Sequence, residues 1–195
     1  MTSRHPPGSL RERKRAAAKA AVAEAAIGLF AERGYDAVSV AEICEVANVA
    51  PRSFFRYFPT KKDLLLEPFR DMADGVTGSI ASAPSDMSDR EVIQQAMREL
   101  ARHVLVDWDR IMRYLRVLQG AAAVRAAPEL QFADLEREYA DTLMRRRGAA
   151  GSADWRTRLF VARIHSGFRV WFDELTDRDV EDPLGLLDQI LAEHE

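Results

Sequence analysis

The chain has 195 residues, 47% of them hydrophobic and 30% charged, with a formal net charge of −3. That balance excludes a disordered chain, and the length fits one medium domain or a small domain fused to a larger one. Its single cysteine, Cys44, excludes an internal disulfide and a zinc site built on cysteine pairs. Charges interrupt every long apolar run, so no membrane span is expected. The polar start (residues 1–9, MTSRHPPGS) lacks the apolar core of a signal peptide, and a cytoplasmic location is expected. Ala, Leu, Arg and Glu recur, few stretches are rich in β-branched residues and no Asn-Gly or Asp-Gly turn links such stretches, so an all-α fold is predicted.

In chain order, residues 1–9 read as a disordered arm. A first helix is predicted from Leu10 to Arg33, with Ala18, Val22, Ala25, Ala26, Leu29 and Phe30 at helical spacing. It opens with Arg11, Arg13, Lys14, Arg15 and Lys19, although cations are unfavourable at a helix N-terminus. Such a cluster points to an anionic partner or to a solvated face. Gly34 stops this helix. Ser39-Val40-Ala41-Glu42 is a capping box that starts a short helix, Val40 to Ala47. Asn48, tolerant of left-handed backbone, makes a tight turn. Pro51 suits the first position of another short helix, which Pro59 ends. Thr60-Lys61-Lys62-Asp63 then caps a helix predicted to run to about Thr77, and Gly78 to Met87 reads as a loop.

Beyond it, Ser88-Asp89-Arg90-Glu91 opens a helix to about Trp108 or Asp109. Further helices are predicted over Arg110–Ala127, Pro128–Arg147 and Ala153–Leu175. A last one is capped by Asp182-Pro183. Residues 1–70 carry 12 Lys and Arg against 8 Asp and Glu, whereas residues 71–195 carry 16 against 23. A basic head on an acidic body suits a DNA-binding module joined to something that should stay off DNA.

Two short helices joined by a tight turn between longer helices form a helix-turn-helix, whose second helix must enter the major groove. Pro51, Arg52 and Ser53 form the first turn of that helix, and Arg52 is the candidate for a guanine edge. Ser39, Tyr57 and Lys61 are candidate phosphate contacts that would fix the register. Val40, Ile43, Ala47, Val49, Phe54 and Phe58 should form the small core, and Cys44 should act as a buried apolar residue.

Val38 to Leu65, VSVAEICEVANVAPRSFFRYFPTKKDLL, resembles the TetR family of repressors. The likeness extends back over Ala16 to Tyr35, including Phe30-x-x-x-Gly34-Tyr35. It implies phosphate contacts from Ser39, Tyr57 and Lys61, and groove contacts from Pro51, Arg52 and Phe55. Asn48, Ala50 and Phe55 stand where the family pattern has a turn glycine, a capping serine and a tyrosine.

Beyond residue 80 no catalytic or metal-binding spacing occurs. His5, His103, His165 and His194 are scattered, so neither an enzyme nor a cofactor is expected. Trp108, Tyr114, His165 and Phe168 are candidate walls of a small-molecule cavity, because ligand pockets in bundles form between helices. Arg145, Arg146, Arg147, Arg156 and Arg158 are compatible with an anionic effector or with solvated helix ends. By resemblance the last two helices would pair with a second copy, through Phe168, Trp171, Phe172, Leu187, Ile190 and Leu191. The expected organisation is a three-helix DNA-binding domain (10–58) and a helical ligand-binding and dimerisation domain (59–195). It would act as a homodimer on a double-stranded, pseudo-palindromic operator, released by a small-molecule effector. A constitutive DNA-binding module and an all-helical enzyme with a vestigial head are the alternatives.

Overall fold

The computed structural model describes residues 10–121 and 128–193, which form helices and connections only. The predicted arm over residues 1–9, with His5, and the terminal His194 lie outside the described residues. The nine helices among the described residues are α1 (Leu10–Arg33), α2 (Val40–Val46), α3 (Pro51–Tyr57), α4 (Lys61–Ser82) and α5 (Asp89–Val106). They continue with α6 (Trp108–Gly120), α7 (Pro128–Arg146), α8 (Trp155–Asp177) and α9 (Pro183–Ala192). The all-α expectation holds. No described helix is long and apolar enough to cross a membrane.

Local chemistry sets most boundaries. Ser39 and Ser88 cap α2 and α5 as full capping boxes, each side chain accepting from the N3 amide while the N3 glutamate reaches back. Thr60 and Asp63 form the same reciprocal pair at the start of α4, with the Thr60 hydroxyl 2.8 Å from the Asp63 carboxylate. Gly34, at φ +84°, ends α1 by donating to the Phe30 carbonyl at 2.9 Å. Asp154 caps α8 by accepting from the Thr157 amide, so that helix begins at Trp155 and not at Ala153.

Two further boundaries differ from expectation. α4 continues through Gly78 to Ser82. Ala73, Val76 and Ile80 lie on one face and are all buried, and that packing outweighs the low helix propensity of the glycine. α6 ends at Gly120, short of Ala127, and residues 122–127 lie outside the described residues.

The chain divides into two compact units. The first holds α1 to α3, α4 as far as Glu67, and α6 from Asp109 onward. Here α1 packs on α2 and α3, and Val22, Ala26, Phe30, Ile43, Phe54, Phe58, Leu64 and Leu65 are buried. The Tyr114 hydroxyl donates to the Leu65 carbonyl, tying α6 to α4, and Arg113 on α6 pairs with Glu24 on α1 at 3.1 Å.

The second unit holds α4 from Pro68, then α5 and α7 to α9. The division thus falls at a proline inside a helix, where the ladder lacks one N–H. In this unit α8 packs on α5, α7 and α9, around Ile93, Met97, Leu143, Ile164, Trp171 and Leu187. Arg146 fastens the loop before α5 by donating to the carbonyls of Pro84 and Met87, while Arg147 pairs with Asp89.

Candidate nucleic-acid interface

The helix-turn-helix is built by the turn between α2 and α3. Asn48 has φ +52°, the left-handed conformation anticipated for it. Its amide donates to the Glu45 carbonyl at 3.1 Å, and the Val49 amide donates to Cys44 at 2.9 Å. Those two bonds are the paired closure of a Schellman motif, which fixes the direction in which the chain leaves α2. Extended backbone at Ala50 then leads into Pro51, the first residue of α3. Ala50 has no side-chain acceptor for the first-turn amides, so proline alone pre-organises that end.

Beneath the turn, Ile43, Phe54 and Phe58 are fully buried, and the Phe54 and Phe58 rings lie 5.8 Å apart. Val40, Ala47 and Val49, expected beside them, are only half-buried. Cys44 is buried, and burial pushes its thiol above the ordinary value, which suits an apolar filler and not a thiolate.

The outer face of α3 presents Pro51, Arg52 and Arg56 to solvent, with Ser53 and Tyr57 half-buried. Phe55 is 54% exposed, a large apolar ring turned outward from a helix that has a core of its own. Arg56 donates to the Tyr57 hydroxyl at 3.0 Å and lies 5.0 Å from its ring centroid. Sequence reasoning missed this residue, although a cation next to Tyr57 on the same short helix was the available signal. Arg13, Lys14 and Arg15 of α1 are exposed, while Lys19 is held by Glu67. Of the basic opening of α1, Lys19 therefore has its anionic partner within the chain.

Ser39 and Lys61 are placed differently from simple phosphate ligands. The Ser39 hydroxyl donates to Glu42 Oε2 at 2.7 Å and accepts from the Glu42 amide, so the cap occupies it. Glu42 also accepts from the Ser39 amide at 2.8 Å and from Arg33 at 2.6 Å. These bonds, from the Ser39 amide first, then its hydroxyl and then Arg33, hold the carboxyl at about 2. A depressed carboxyl stabilises the fold fully above its unfolded value near 4.5, and the contribution is lost as pH falls from there towards 2. In acid titrations followed by circular dichroism, Glu42→Gln is expected to flatten stability across that window, whereas an unchanged profile would deny the cap its role. The Lys61 ammonium donates to the Tyr35 and Val38 carbonyls, each at 2.8 Å.

The candidate cavity residues fall in both units. Tyr114 is in the first, with its hydroxyl donating to Leu65 and its pKa raised by burial. In the second, Trp108 is half-buried, 5.6 Å from Phe172 between ring centroids. His165 is buried with Nδ1 2.9 Å from Glu136, and Phe168 lies 5.0 Å from Trp171. Of the six residues expected at a seam between copies, four are buried in the single chain. Phe168, Trp171, Leu187 and Leu191 are buried within the single chain, because α5 and α9 cover that face of α8. Phe172 and Ile190 are half-buried. The apolar residues exposed on α8 are Trp155, Leu159 and Val170, on the opposite face. Among the arginines weighed for an anionic effector, Arg145 bonds Thr142 and Arg146 and Arg147 hold the loop before α5.

Residues 22–67 match the family model described as bacterial regulatory proteins, tetR family. The chain is 26% identical over 170 residues to the HTH-type transcriptional regulator TcmR of Streptomyces glaucescens, covering 84% of this chain and 75% of that protein. Among solved structures it resembles NalD, the secondary repressor of the MexAB-OprM multidrug efflux pump in Pseudomonas aeruginosa. That likeness has a TM-score of 0.60 at 19% identity and covers 91% of this chain and 96% of that one. It also resembles Thermus thermophilus FadR, a TetR family transcriptional repressor in complex with lauroyl-CoA, with a TM-score of 0.54 at 22% identity, covering 89% and 91%. The turn at Asn48, the outward face of α3 and the matched segment agree: residues 22–67 are a helix-turn-helix segment of the tetR type, and the chain as a whole is similar to DNA-binding transcriptional regulators that carry it.

Proposed function

We propose that the protein is a homodimeric repressor that occupies a pseudo-palindromic operator and leaves it when a small molecule binds the second domain. The observation that carries the reading is the outer face of α3, where Pro51, Arg52 and Phe55 project from a helix anchored by Phe54 and Phe58. Arg52 would contact a guanine edge, and Phe55 a thymine methyl. Tyr57 would grip a phosphate, with Ser39, Ser53 and Lys61 near the DNA backbone. Residues 10–58 form the DNA-binding domain on this reading, and residues 59–195 the ligand-binding and dimerisation domain.

Two copies follow from the physics of the operator, because a two-fold protein places its recognition helices in successive major grooves. Trp155, Leu159 and Val170, exposed along one face of α8, offer a second copy apolar contacts. NalD and FadR are described as repressors, and FadR was captured with lauroyl-CoA, which supports repression and an apolar effector among the residues near Trp108, His165 and Phe168. Release is then a population shift. An effector that prefers the non-binding arrangement by about 1–3 kcal/mol lowers operator affinity roughly 5- to 150-fold. The protein acts by binding, without catalysis, and works in the cytoplasm.

Arg52→Ala is expected to weaken binding to a selected operator by about 1–3 kcal/mol and to relax preference at one base pair per half-site. Fluorescence anisotropy against single-base operator variants measures both. Undiminished affinity with intact base preference would remove Arg52 from the interface.

A further inference from the structure

We infer that Arg56 contacts the DNA backbone as one unit with Tyr57: the guanidinium aims the phenol at a single phosphate and shares that phosphate with it. The inference rests on the reading of α3 as the helix that meets duplex DNA. Arg56 Nη2 donates to the Tyr57 hydroxyl at 3.0 Å, and the guanidinium carbon lies 5.0 Å from the Tyr57 ring centroid. Side chains adjacent in a helix do not ordinarily face each other, so the contact exists because the arginine folds back over the ring. Cation–π attraction and the hydrogen bond hold it there together. A guanidinium has five N–H donors, and this bond uses one of them. Tyr57 is half-buried and precedes the fully buried Phe58, which fixes the base on which the pair stands.

The direction of that bond sets what the pair can hold. The Tyr57 oxygen accepts from Arg56, so its own O–H is left to donate, and it needs an acceptor. A chain running from a cationic N–H through a hydroxyl to an anionic oxygen is polarised along its length, which strengthens the last bond. The unused guanidinium donors suit the same anion, because their planar fork matches phosphate oxygens. Charge points the same way. Helix α3 carries Arg52 and Arg56 and no acidic residue. Arg33, Arg113 and Arg147 pair with Glu42, Glu24 and Asp89, whereas among the described residues no carboxylate pairs with Arg56. Position completes the case. Arg56 lies one turn beyond Arg52, and both are exposed on the outer face of α3. A helix-turn-helix reads bases with the first turn of its second helix, which leaves the far end to the phosphates at the groove wall. Arg52 then reads sequence, and Arg56 with Tyr57 holds the register.

The test uses the full chain as wild type, Arg56→Ala, Arg56→Lys and Tyr57→Phe, with Tyr57→Phe also combined with each Arg56 variant, on a duplex selected from a random pool. Arg56 is exposed and Tyr57→Phe keeps the ring, so thermal melts should match wild type. Arg56→Ala is expected to make the slope of log K against log salt shallower by about 0.9, the loss of one phosphate contact. Tyr57→Phe should keep the slope and lose about tenfold in affinity with Arg56 present, but less than about twofold in the Arg56→Ala background. Arg56→Lys keeps the charge and the slope without the stacked fork, so there too Tyr57→Phe should cost less than about twofold. Losses that multiply in the combined variants would make the two residues independent and overturn the unit. Wild-type affinity and slope in Arg56→Ala would remove Arg56 from the interface and overturn the inference as well. In DNA-free protein, the Tyr57 ring current should shift the Arg56 side-chain proton resonances upfield, and Tyr57→Leu should abolish the shift. Unshifted resonances in wild type would show that no pair is formed in advance, whatever the protein does with DNA. Failure of wild type to bind any duplex would defeat the functional reading itself, a result distinct from multiplied losses on a bound duplex.

Discussion

Phe54→Ala is expected to unfold the helix-turn-helix and abolish operator binding in one step. Phe54 is fully buried, with the ring of Phe58 5.8 Å away and that of Phe55 5.3 Å away, edge to face. Truncating such a ring costs about 3–5 kcal/mol in transfer and cavity terms. A domain stable by about 5–15 kcal/mol loses a large part of its margin. The effect should be worst here, because Ile43 and Phe58 share the same small core and cannot close the gap without moving α2. Phe55→Ala is the matched contrast. That ring is 54% exposed, so its removal should change stability by no more than about 0.5 kcal/mol while weakening binding. Thermal melts and anisotropy on both variants separate the roles. A stably folded Phe54→Ala that still binds would show that the core lies elsewhere.

Trp171→Ala is the second large effect, confined to the other unit. Trp171 is fully buried, and its indole N–H donates to the Pro183 carbonyl at 2.6 Å. Its ring lies 5.0 Å from Phe168. It joins α8 to the first residue of α9, and Leu187 and Leu191 complete that contact. Losing the ring costs about 3–5 kcal/mol and leaves a carbonyl without its donor. Trp171→Phe should recover much of the ring burial but not the bond. Denaturant unfolding measures the difference. If Trp171→Ala kept monomer stability and lost only self-association, the indole would belong to an interface, against its burial in one chain.

The parts legible in the sequence are those whose partners are near in the chain. Ser39, Thr60 and Ser88 cap through residues three positions on, and Asn48 closes its turn on Glu45 and Cys44, so residue type and spacing announce both. On α3, spacing marked Phe54 and Phe58 as core and Arg52 as part of the exposed first turn, whereas Phe55 came from the family resemblance and Arg56 was missed.

What was hidden depends on distant partners. Lys61 reads as one more surface cation until the fold brings Tyr35 and Val38 beneath it. Arg146 reads as a solvated helix end until it meets carbonyls some 60 residues earlier. His165 meets Glu136 across two helices. On α8 the difficulty is different. An apolar stripe has the same periodicity whether a neighbouring helix of the same chain or a second copy covers it. Only the packing of α5 and α9 assigns Trp171 to the core and leaves Trp155, Leu159 and Val170 outside. Gly78 in α4 misled for a related reason, since Val76 and Ile80 bury the face that holds that stretch helical.

The most direct measurement titrates the purified chain onto a duplex selected from a random pool, over a range of salt, with the mass of the complex recorded. Two protomers should occupy one duplex whose half-sites lie about 34–36 Å apart or a multiple of that, with affinity falling steeply as salt rises. A lone protomer showing no salt-sensitive attraction to any duplex would contradict the assignment of α3 to the major groove.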